Sequence, residues 1–281
     1  MYYIQEIDKP NKILKMFNLI RLEENKIVLP IKDERITQKQ AEKLADKTIK
    51  ILSKTSCNKI VVSKILKNQF QYLNYLYSYD LDIVDGKWLA EKLSIKMLDY
   101  IVQKKKLKKQ EMQISILCNN TTDSVIESLK IIVKQYKSVN IVTNHISKFK
   151  KIEKDILDKY GIMITVTNNK KRSLAKSKII LNYDFPSELL NKYNIYEEAI
   201  VINISGNVKI IKKRFNGLNI NDYEIEFLDL NDFDYGKENK FLAKDLYEAN
   251  FYKNQPFNDI LKKLEKDRVK IKSLIGANTV L

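Results

Sequence analysis

The chain has 281 residues, 44% of them hydrophobic, and a formal net charge of +16. This length suits two domains of ordinary size, and no run approaches the ~18 uncharged apolar residues of a membrane helix. The N-terminus lacks the basic start and apolar block of a secretory signal. Two cysteines, Cys57 and Cys118, are too few for a disulfide framework or a zinc site. A cytoplasmic protein without a bound metal is expected.

Lysine supplies 46 of the 51 basic residues. Arginine binds phosphates and bases bidentately, whereas lysine is a hydrated point charge that any solvated surface can carry. The composition therefore favours a solvated lysine surface over a dedicated nucleic-acid groove. Sequence-independent binding to nucleic acid stays open as an alternative, because net charge constrains function only loosely.

The first half of the chain alternates strand and helix patterns. A capping box at Thr37 and Gln40 starts one helix, and apolar residues follow it at helical spacing. Strands are expected at residues 26–31, 58–63 and 81–84, and further helices at 68–79 and 87–106. A lysine-rich run that ends at Lys109 marks a shift in composition. An α/β domain is therefore predicted over residues 1–109.

Short, β-branched apolar runs recur through the next hundred residues. Strands are expected at residues 112–117, 139–143, 162–166, 178–181 and 199–203. Helices are expected from about residue 121 and from about residue 147, the second ending at a left-handed cap at Gly161. Continuous apolar strands of this length are typical of a parallel sheet with helices on both faces. A Rossmann-like domain is predicted over residues 110–236.

Two further patterns follow the predicted parallel sheet. Residues 208–215 and 218–227 alternate in polarity around Asn216-Gly217, a preferred two-residue hairpin turn. Residues 240–272 read as two helices broken near Pro256, so residues 237–281 are expected to pack back on the domains. The predicted fold class is α/β with two domains, the second a Rossmann-like parallel sheet with an added β-hairpin.

The turn after the first strand of the Rossmann-like domain, residues 118–123, contains no glycine. A pyrophosphate site normally needs glycine there, because the backbone must approach the phosphates closely. Thr121 and Thr122 still offer hydroxyl groups at a helix N-terminus, where anions are favoured. The sequence leaves open whether this turn binds a nucleotide in an altered way or not at all.

Two short stretches carry a resemblance to a known family. They are residues 141–148 (Ile-Val-Thr-Asn-His-Ile-Ser-Lys) and residues 174–184 (Leu-Ala-Lys-Ser-Lys-Ile-Ile-Leu-Asn-Tyr-Asp). With the strand spacing, they resemble the NAD(P)-binding domain of the shikimate dehydrogenase and glutamyl-tRNA reductase class over residues 110–205. That resemblance implies a dinucleotide site with an arginine after Asn144 for the NADP ribose phosphate. This chain has His145 there, which binds phosphate less well near neutral pH.

The same resemblance implies a catalytic Lys–Asp pair in the N-terminal domain. Lys32, in Pro30-Ile31-Lys32, matches a Pro-x-Lys segment of the family, and Asp85 at the end of the third strand is its candidate partner. General acid–base chemistry would need the two side chains close together. A chance match among so many lysines is the competing interpretation.

Polar residues follow several strands of the Rossmann-like domain, where α/β proteins bind ligands. The candidate ligand-binding residues are Asn119, Asn120, Thr121, Thr122, Asn144, His145 and Asn182. The leading hypothesis is a degenerate Rossmann-like protein, not a conventional dehydrogenase, that binds a small ligand or nucleotide in the inter-domain cleft. The alternatives are an NAD(P)-dependent oxidoreductase of the shikimate dehydrogenase type and a non-enzymatic protein that binds another protein or nucleic acid. NADP and NAD stay open as cofactors, and the sequence does not decide whether the chain is an enzyme.

Overall fold

The computed structural model describes residues 1–7, 12–32, 35–55, 57–228, 240–252, 254–277 and 279–281. The chain divides into two compact units. The first unit comprises Met1–Gly86 and Asp229–Asn254, and the second comprises Lys87–Leu228 and Gln255–Leu281. The division therefore falls before the helix that was expected to close the first domain, because that helix packs on elements of the second unit. The predicted boundary at residues 236 and 237 lies outside the described residues.

The first unit contains a five-stranded sheet in the order β2-β3-β1-β4-β5. Its strands are Tyr2–Glu6 (β1), Arg21–Glu23 (β2), Lys26–Leu29 (β3), Lys59–Val62 (β4) and Asp82–Val84 (β5). Its helices are Lys12–Phe17 (α1), Gln38–Leu52 (α2), Lys64–Lys67 (α3), Phe70–Tyr77 (α4) and Ala243–Ala249 (α9). All neighbouring strands are parallel except β2 and β3.

The predicted start of α2 is confirmed. The backbone N–H of Gln40 donates to the Thr37 hydroxyl at 3.3 Å, and the Thr37 N–H donates to the Gln40 side chain at 3.1 Å. These two bonds satisfy backbone groups that a helix start leaves unpaired. One face of α2 is buried as the apolar spacing predicts, through Ala41, Leu44, Ala45, Thr48 and Leu52.

Sequence reasoning missed the central strand of this sheet. β1 lies between β3 and β4, and Tyr3 and Ile4 are almost fully buried. The strand is short and carries Gln5 and Glu6, so its composition does not stand out as apolar. Glu6 is nevertheless buried, because the Ser63 hydroxyl at the end of β4 donates to its carboxylate at 2.5 Å.

The second unit contains a seven-stranded sheet in the order β12-β11-β10-β9-β6-β7-β8. Its strands are Gln113–Leu117 (β6), Ser138–Val142 (β7), Thr165–Thr167 (β8), Ile179–Asn182 (β9), Ile200–Asn203 (β10), Leu218–Glu226 (β11) and Lys270–Gly276 (β12). Its α-helices are Lys87–Lys104 (α5), Asp123–Ile132 (α6), Ile146–Tyr160 (α7), Ser187–Leu190 (α8) and Phe257–Lys266 (α10). α7 ends at Gly161 in the left-handed conformation, as predicted.

The order of the parallel strands identifies the topology of the second unit. Strands β6 to β11 are all parallel and lie in the order three-two-one-four-five-six when counted along the chain. This is the order of the Rossmann dinucleotide-binding fold. The predicted α/β class with a Rossmann-like second domain is therefore confirmed. In such sheets, ligands bind beyond the carboxyl ends of the strands, at the point between β6 and β9 where the winding direction reverses.

The predicted hairpin around Asn216-Gly217 does not form. Residues 208–215 contain no strand, and β11 pairs in parallel with β10 and antiparallel with β12. Residues 207–211 are held instead by side chains, with the Val208 N–H donating to Asn221 at 3.0 Å and the Ile211 N–H to Asn191 at 2.8 Å. Gly217 serves a different purpose, because its backbone packs directly against Ala199.

The C-terminal segment also departs in part from the sequence expectation. Two helices, α9 and α10, do form on either side of Pro256. The helical reading of the last few residues up to 272 is wrong, because β12 begins at Lys270 and joins the sheet beside β11. The buried residues of β12 are Ile271, Ser273 and Leu274. They do not follow the strict alternation of a strand, so the sequence pattern also fits the end of a helix. Among the described residues, no helix is both long and apolar enough to cross a membrane.

Candidate functional site

The turn after β6 is organised around a carboxylate from the neighbouring strand. Asp184 follows β9 and accepts the backbone N–H of Asn119 at 2.9 Å on Oδ1 and 2.8 Å on Oδ2. It also accepts the backbone N–H of Asn120 at 3.0 Å and the side-chain amide of Asn120 at 3.1 Å. The Asp184 carboxylate therefore lies at the reversal point of the sheet, where β6 and β9 are neighbours.

These hydrogen bonds change the meaning of the glycine-free turn. Backbone amides in the first strand-to-helix turn of a Rossmann fold are the groups that normally receive a pyrophosphate. Here the amides of Asn119 and Asn120 already donate to an anion that belongs to the chain. The turn therefore still binds a negative charge, and that charge is the Asp184 carboxylate of the same chain.

One further predicted site residue, Asn144, joins this arrangement through the next strand. The Asn119 side-chain oxygen accepts the backbone N–H of Asn144 at 2.9 Å, which ties the turn after β6 to the turn after β7. His145 is exposed, and its N–H donates to the Thr143 hydroxyl at 3.1 Å. The structure therefore brings Asn119, Asn120 and Asn144 together around Asp184.

The two threonines lie at the start of α6. The Thr122 hydroxyl caps the helix by accepting the Val125 N–H at 3.3 Å. Thr121 is exposed beside it. A capping hydroxyl already has a hydrogen-bond partner, so Thr122 is explained by the stability of the helix.

Asn182, the last predicted ligand residue, is completely buried. Its side-chain amide donates to the Phe185 carbonyl and to the Asn203 side-chain oxygen, both at 2.9 Å. The Asn203 amide continues the chain to the Asn219 side chain on β11 at 2.8 Å. These asparagines connect the carboxyl-end halves of β9 and β10 with β11, and Asn182 has no surface left for a ligand.

A cavity of about 430 Å³ opens beside Asp184 at the same edge of the sheet. Its volume lies within the range of small-molecule sites. The lining carries both signs of charge and two hydroxyl groups. The lining residues that bear on its chemistry are Lys87, Asp184, Ser187, Glu188, Ser205 and Asn207.

Sequence reasoning missed most of this lining. In the sequence, Asp184 stands out only as the last residue of the stretch 174–184. The Rossmann strand order places the residues after β9 beside the turn after β6, so that order was the signal that could have found it. Lys87 and Ser205 come from α5 and from the loop after β10, and nothing in their local sequence marks them.

A larger cavity, of about 770 Å³, lies between residues 207–215 and the first half of β11. Aliphatic and aromatic side chains such as Ile210, Phe215 and Leu218 contribute to its lining. Among the described residues that line it, only Lys209 is charged. Such a lining provides no acid–base pair, so the smaller cavity is the better candidate for chemistry.

Cys118 lies at the end of β6 and is fully buried. Burial raises the pKa of its thiol well above the ordinary range, and the negative charge of Asp184 adds to the effect. The thiolate is the reactive form of cysteine, so a thiol held protonated is inert. This supports the interpretation of Cys118 as a small buried side chain.

We expect iodoacetamide to leave Cys118 unmodified in the native protein. Cys57 is half-buried and serves as the internal comparison. Mass spectrometry should show modification at Cys57 first, with Cys118 reacting only after urea unfolds the second unit. Equal labelling of both thiols in the native state would contradict the buried position of Cys118.

The sheet order of the first unit separates the proposed Lys–Asp pair. Lys32 follows β3 and Asp85 follows β5, with β1 and β4 between these strands. Neighbouring strands are ~4.8 Å apart, so the two strand ends lie about 14 Å from each other. The backbone arrangement therefore does not bring Lys32 and Asp85 together.

The first unit buries other charged groups that the sequence did not reveal. Asp245 on α9 has no exposed surface, and the Lys67 ammonium on α3 lies 2.5 Å from its carboxylate. The Glu6 carboxylate lies 3.8 Å from the Lys240 ammonium. No group of three or more His, Cys, Asp or Glu side chains suited to a metal ion occurs in the described part of the chain.

Comparison with known proteins finds solved structures of low similarity to this chain. No protein-family model and no curated protein sequence matches the chain. The L-tryptophan dehydrogenase of Nostoc punctiforme is 8% identical, with a TM-score of 0.32, over 76% of this chain and 65% of the other. The glutamate dehydrogenase of Thermus thermophilus is 6% identical, with a TM-score of 0.37, over 86% and 64%. The aspartate transcarbamoylase of Trypanosoma cruzi is 14% identical, with a TM-score of 0.29, over 72% and 71%.

The chain thus spans less than two thirds of the length of either dehydrogenase. At this level of similarity, the three proteins carry no argument about activity. The assignment of a Rossmann-like second unit rests on the strand order of this chain.

Proposed function

We propose that the second unit binds a small polar molecule in the 430 Å³ cavity and does not work as a conventional nicotinamide dehydrogenase. The observation that carries the proposal is the Asp184 carboxylate on the amides of Asn119 and Asn120. This carboxylate occupies the amides that bind phosphate in a Rossmann fold. It therefore supports a protein that keeps the fold and has lost the phosphate site.

A bound pyrophosphate would meet two costs at this turn. It would have to displace Asp184 and lose that residue's hydrogen bonds to three N–H groups, which are stronger than neutral ones because the acceptor is charged. It would also place negative charge next to the displaced carboxylate. Two like charges about 4 Å apart near a protein surface repel by up to about 4 kcal/mol.

The cavity lining indicates the class of ligand. Lys87 places a positive charge on the lining, and Glu188 places a negative charge there. The hydroxyls of Ser187 and Ser205 can donate to or accept from either end. A small zwitterion such as a free amino acid has both charges in one molecule, so it is the ligand class that fits this lining best.

The experiment is thermal unfolding of the intact chain with candidate ligands. NAD, NADP, ATP and S-adenosylmethionine at millimolar concentration are expected to leave the unfolding midpoint unchanged. One or more free amino acids are expected to raise it, because a ligand that binds only the native state stabilises it by mass action. A rise with any of the nucleotides would overturn the proposal.

Two variants localise the response to the cavity. Glu188→Gln removes one charge from the lining and is expected to reduce the response to the amino acid. Glu198→Gln removes one exposed charge outside that lining and is expected to preserve the response. Equal responses in both variants would contradict binding at this cavity.

We expect Asp184→Ala to have two effects at once. It leaves the amides of Asn119 and Asn120 without their acceptor, so the free energy of unfolding should fall by about 2 kcal/mol. It also uncovers a backbone anion site, so inorganic pyrophosphate should raise the unfolding midpoint of the variant and not that of the unchanged chain. Thermal unfolding with and without pyrophosphate measures both effects.

Asp222→Ala is the matched control for this substitution. It removes a carboxylate on β11 that is not part of the turn, so it should not create a response to pyrophosphate. If Asp184→Ala does not respond to pyrophosphate either, the amides of the turn are not an anion site. That result would contradict the view that Asp184 replaces a phosphate.

A further inference from the structure

The net charge of the chain is concentrated in one unit. The second unit contains 32 basic and 18 acidic residues and carries +14 of the net charge of +16. The first unit contains 19 basic and 17 acidic residues. Basic residues make up a similar share of the two units, 19 of 112 and 32 of 169 residues, so the asymmetry comes mainly from the smaller share of acidic residues in the second unit.

Much of this charge meets at the amino edge of the seven-stranded sheet, the edge opposite the cavity. α5 precedes β6 and ends there, and short segments lead into β7 and β9, which flank β6. We call this surface the lysine edge. Its members are Lys104, Lys105, Lys106, Lys108, Lys134, Lys137, Lys176 and Lys178, all exposed.

Backbone and side-chain contacts hold these segments side by side. The Lys137 N–H donates to the Lys109 carbonyl at 3.3 Å, which joins the segment before β7 to the segment before β6. The Gln113 side chain donates to the Ser177 hydroxyl at 3.2 Å, which joins the start of β6 to the segment before β9. These bonds hold the segments that carry the lysines next to one another at this edge of the sheet.

Few carboxylates neutralise this surface. Glu111 pairs with Lys108 at 3.0 Å, and Asp99 pairs with the adjacent Lys109 at 2.6 Å. The other seven members of the lysine edge make no ion pair with a carboxylate of the described residues. Clustered like charges repel one another, so a polyanion that neutralises them would bind favourably.

The side chains around the lysine edge select among polyanions. No large apolar side chain is exposed within residues 104–112, 134–138 or 174–178, and the segment before β8, at the same edge, exposes Met163. Binding at a membrane surface would need several apolar groups to enter the lipid. Tyr136 is buried and Tyr160 lies under the Lys134 ammonium at 4.4 Å. Residues 104–112, 134–138 and 174–178 thus offer no exposed aromatic ring for the stacking that single strands use.

We propose that the lysine edge binds the phosphate backbone of double-stranded nucleic acid without reading its sequence. Lysine supplies point charges to phosphates, and the eight members include no arginine for bidentate recognition of bases. This proposal is independent of the small-ligand site, because the two lie at opposite edges of the sheet.

The test is binding of the intact chain to a fluorescently labelled DNA duplex of arbitrary sequence over a range of salt concentrations. Binding at low salt should weaken steeply as salt rises, because each phosphate contact releases a counterion. The variant Lys105→Gln, Lys137→Gln, Lys176→Gln and Lys178→Gln should lower the slope of log affinity against log salt by about 3 to 4. Its affinity at low salt should fall by at least about 100-fold.

The matched control removes four exposed lysines of the second unit that lie away from the lysine edge. It combines Lys151→Gln, Lys154→Gln, Lys266→Gln and Lys270→Gln, with the same change in net charge. Circular dichroism checks that both variants fold. Equal losses in the two variants, no binding to the duplex at low salt, or binding only to vesicles of anionic phospholipid would each overturn the proposal.

Discussion

Gly217→Ala is expected to lower the free energy of unfolding of the second unit by at least about 3 kcal/mol. A Cβ atom at this position would lie 2.0 Å from the Ala199 carbonyl oxygen and 2.9 Å from the Ala199 N and C atoms. These are backbone atoms, so no side chain can rotate out of the way. Relief requires β10 and β11 to separate where the Leu218 N–H donates to Ala199 at 3.0 Å.

Urea unfolding followed by fluorescence measures this effect in the second unit. Trp88, on α5, is the only tryptophan in the chain and belongs to that unit. Gly161→Ala is the control, because its φ of +67° costs an alanine about 1 to 2 kcal/mol while no atom lies within 4 Å of the added Cβ. A loss for Gly217→Ala no greater than that of the control would contradict the close packing against Ala199.

The same glycine shows why local patterns misjudge some elements. Asn-Gly is a hairpin signal because both positions tolerate positive φ. At Gly217 the need for glycine comes from the backbone of Ala199, which is distant in the sequence. A short sequence window cannot contain that information. β1 was missed for a related reason, because Glu6 can lie in a buried strand only with a partner such as Ser63, 57 positions away.

The parallel sheet of the second unit was predictable because its signals are local. Each strand is a short β-branched run, and each turn has its own polar residues. Strand order follows from the handedness and spacing of such units. The helix cap at Thr37 and the left-handed end at Gly161 were likewise visible, because each depends on residues within a few positions.

The candidate site was predictable in position and not in chemistry. The carboxyl ends of the strands could be placed from the fold, which located Asn119, Asn120 and Asn144 correctly around one point. The role of Asp184 could not be read from its neighbours, since it depends on hydrogen bonds across 64 and 65 positions. Asparagine side chains both donate and accept hydrogen bonds. This property made Asn182 a candidate ligand residue, and it also lets Asn182 connect buried strands.

The buried ion pair of the first unit leads to the second large effect. Lys67→Met should lower the free energy of unfolding by about 3 kcal/mol near neutral pH, because it leaves the Asp245 carboxylate buried without its closest cation. Neither oxygen of Asp245 receives a hydrogen bond of good geometry from the described residues, so the Lys67 charge is its main compensation. Urea unfolding by circular dichroism, with hydrogen exchange of β1 and β4 amides, measures the loss.

The pH dependence separates this effect from a packing defect. Burial raises the pKa of the Asp245 carboxyl, while the charges of Lys67 and Lys244 lower it and that of Asp85 raises it. Removing Lys67 raises the pKa further, so the native state of the variant binds the proton more tightly than the unfolded chain does. Its stability relative to the unchanged chain should therefore recover as the pH falls below neutral towards the ordinary pKa of a carboxyl group.

Adding Asp245→Asn to the Lys67→Met variant tests whether the buried charge causes the loss. Without the buried charge there is nothing left for Lys67 to compensate, so the double variant should recover at least half of the loss near neutral pH. Its difference from the unchanged chain should depend only weakly on pH, because the titrating group is gone. A loss in Lys67→Met that stays constant with pH, and that Asp245→Asn does not reduce, would show that Lys67 stabilises the first unit through the packing of its aliphatic chain and not through its charge.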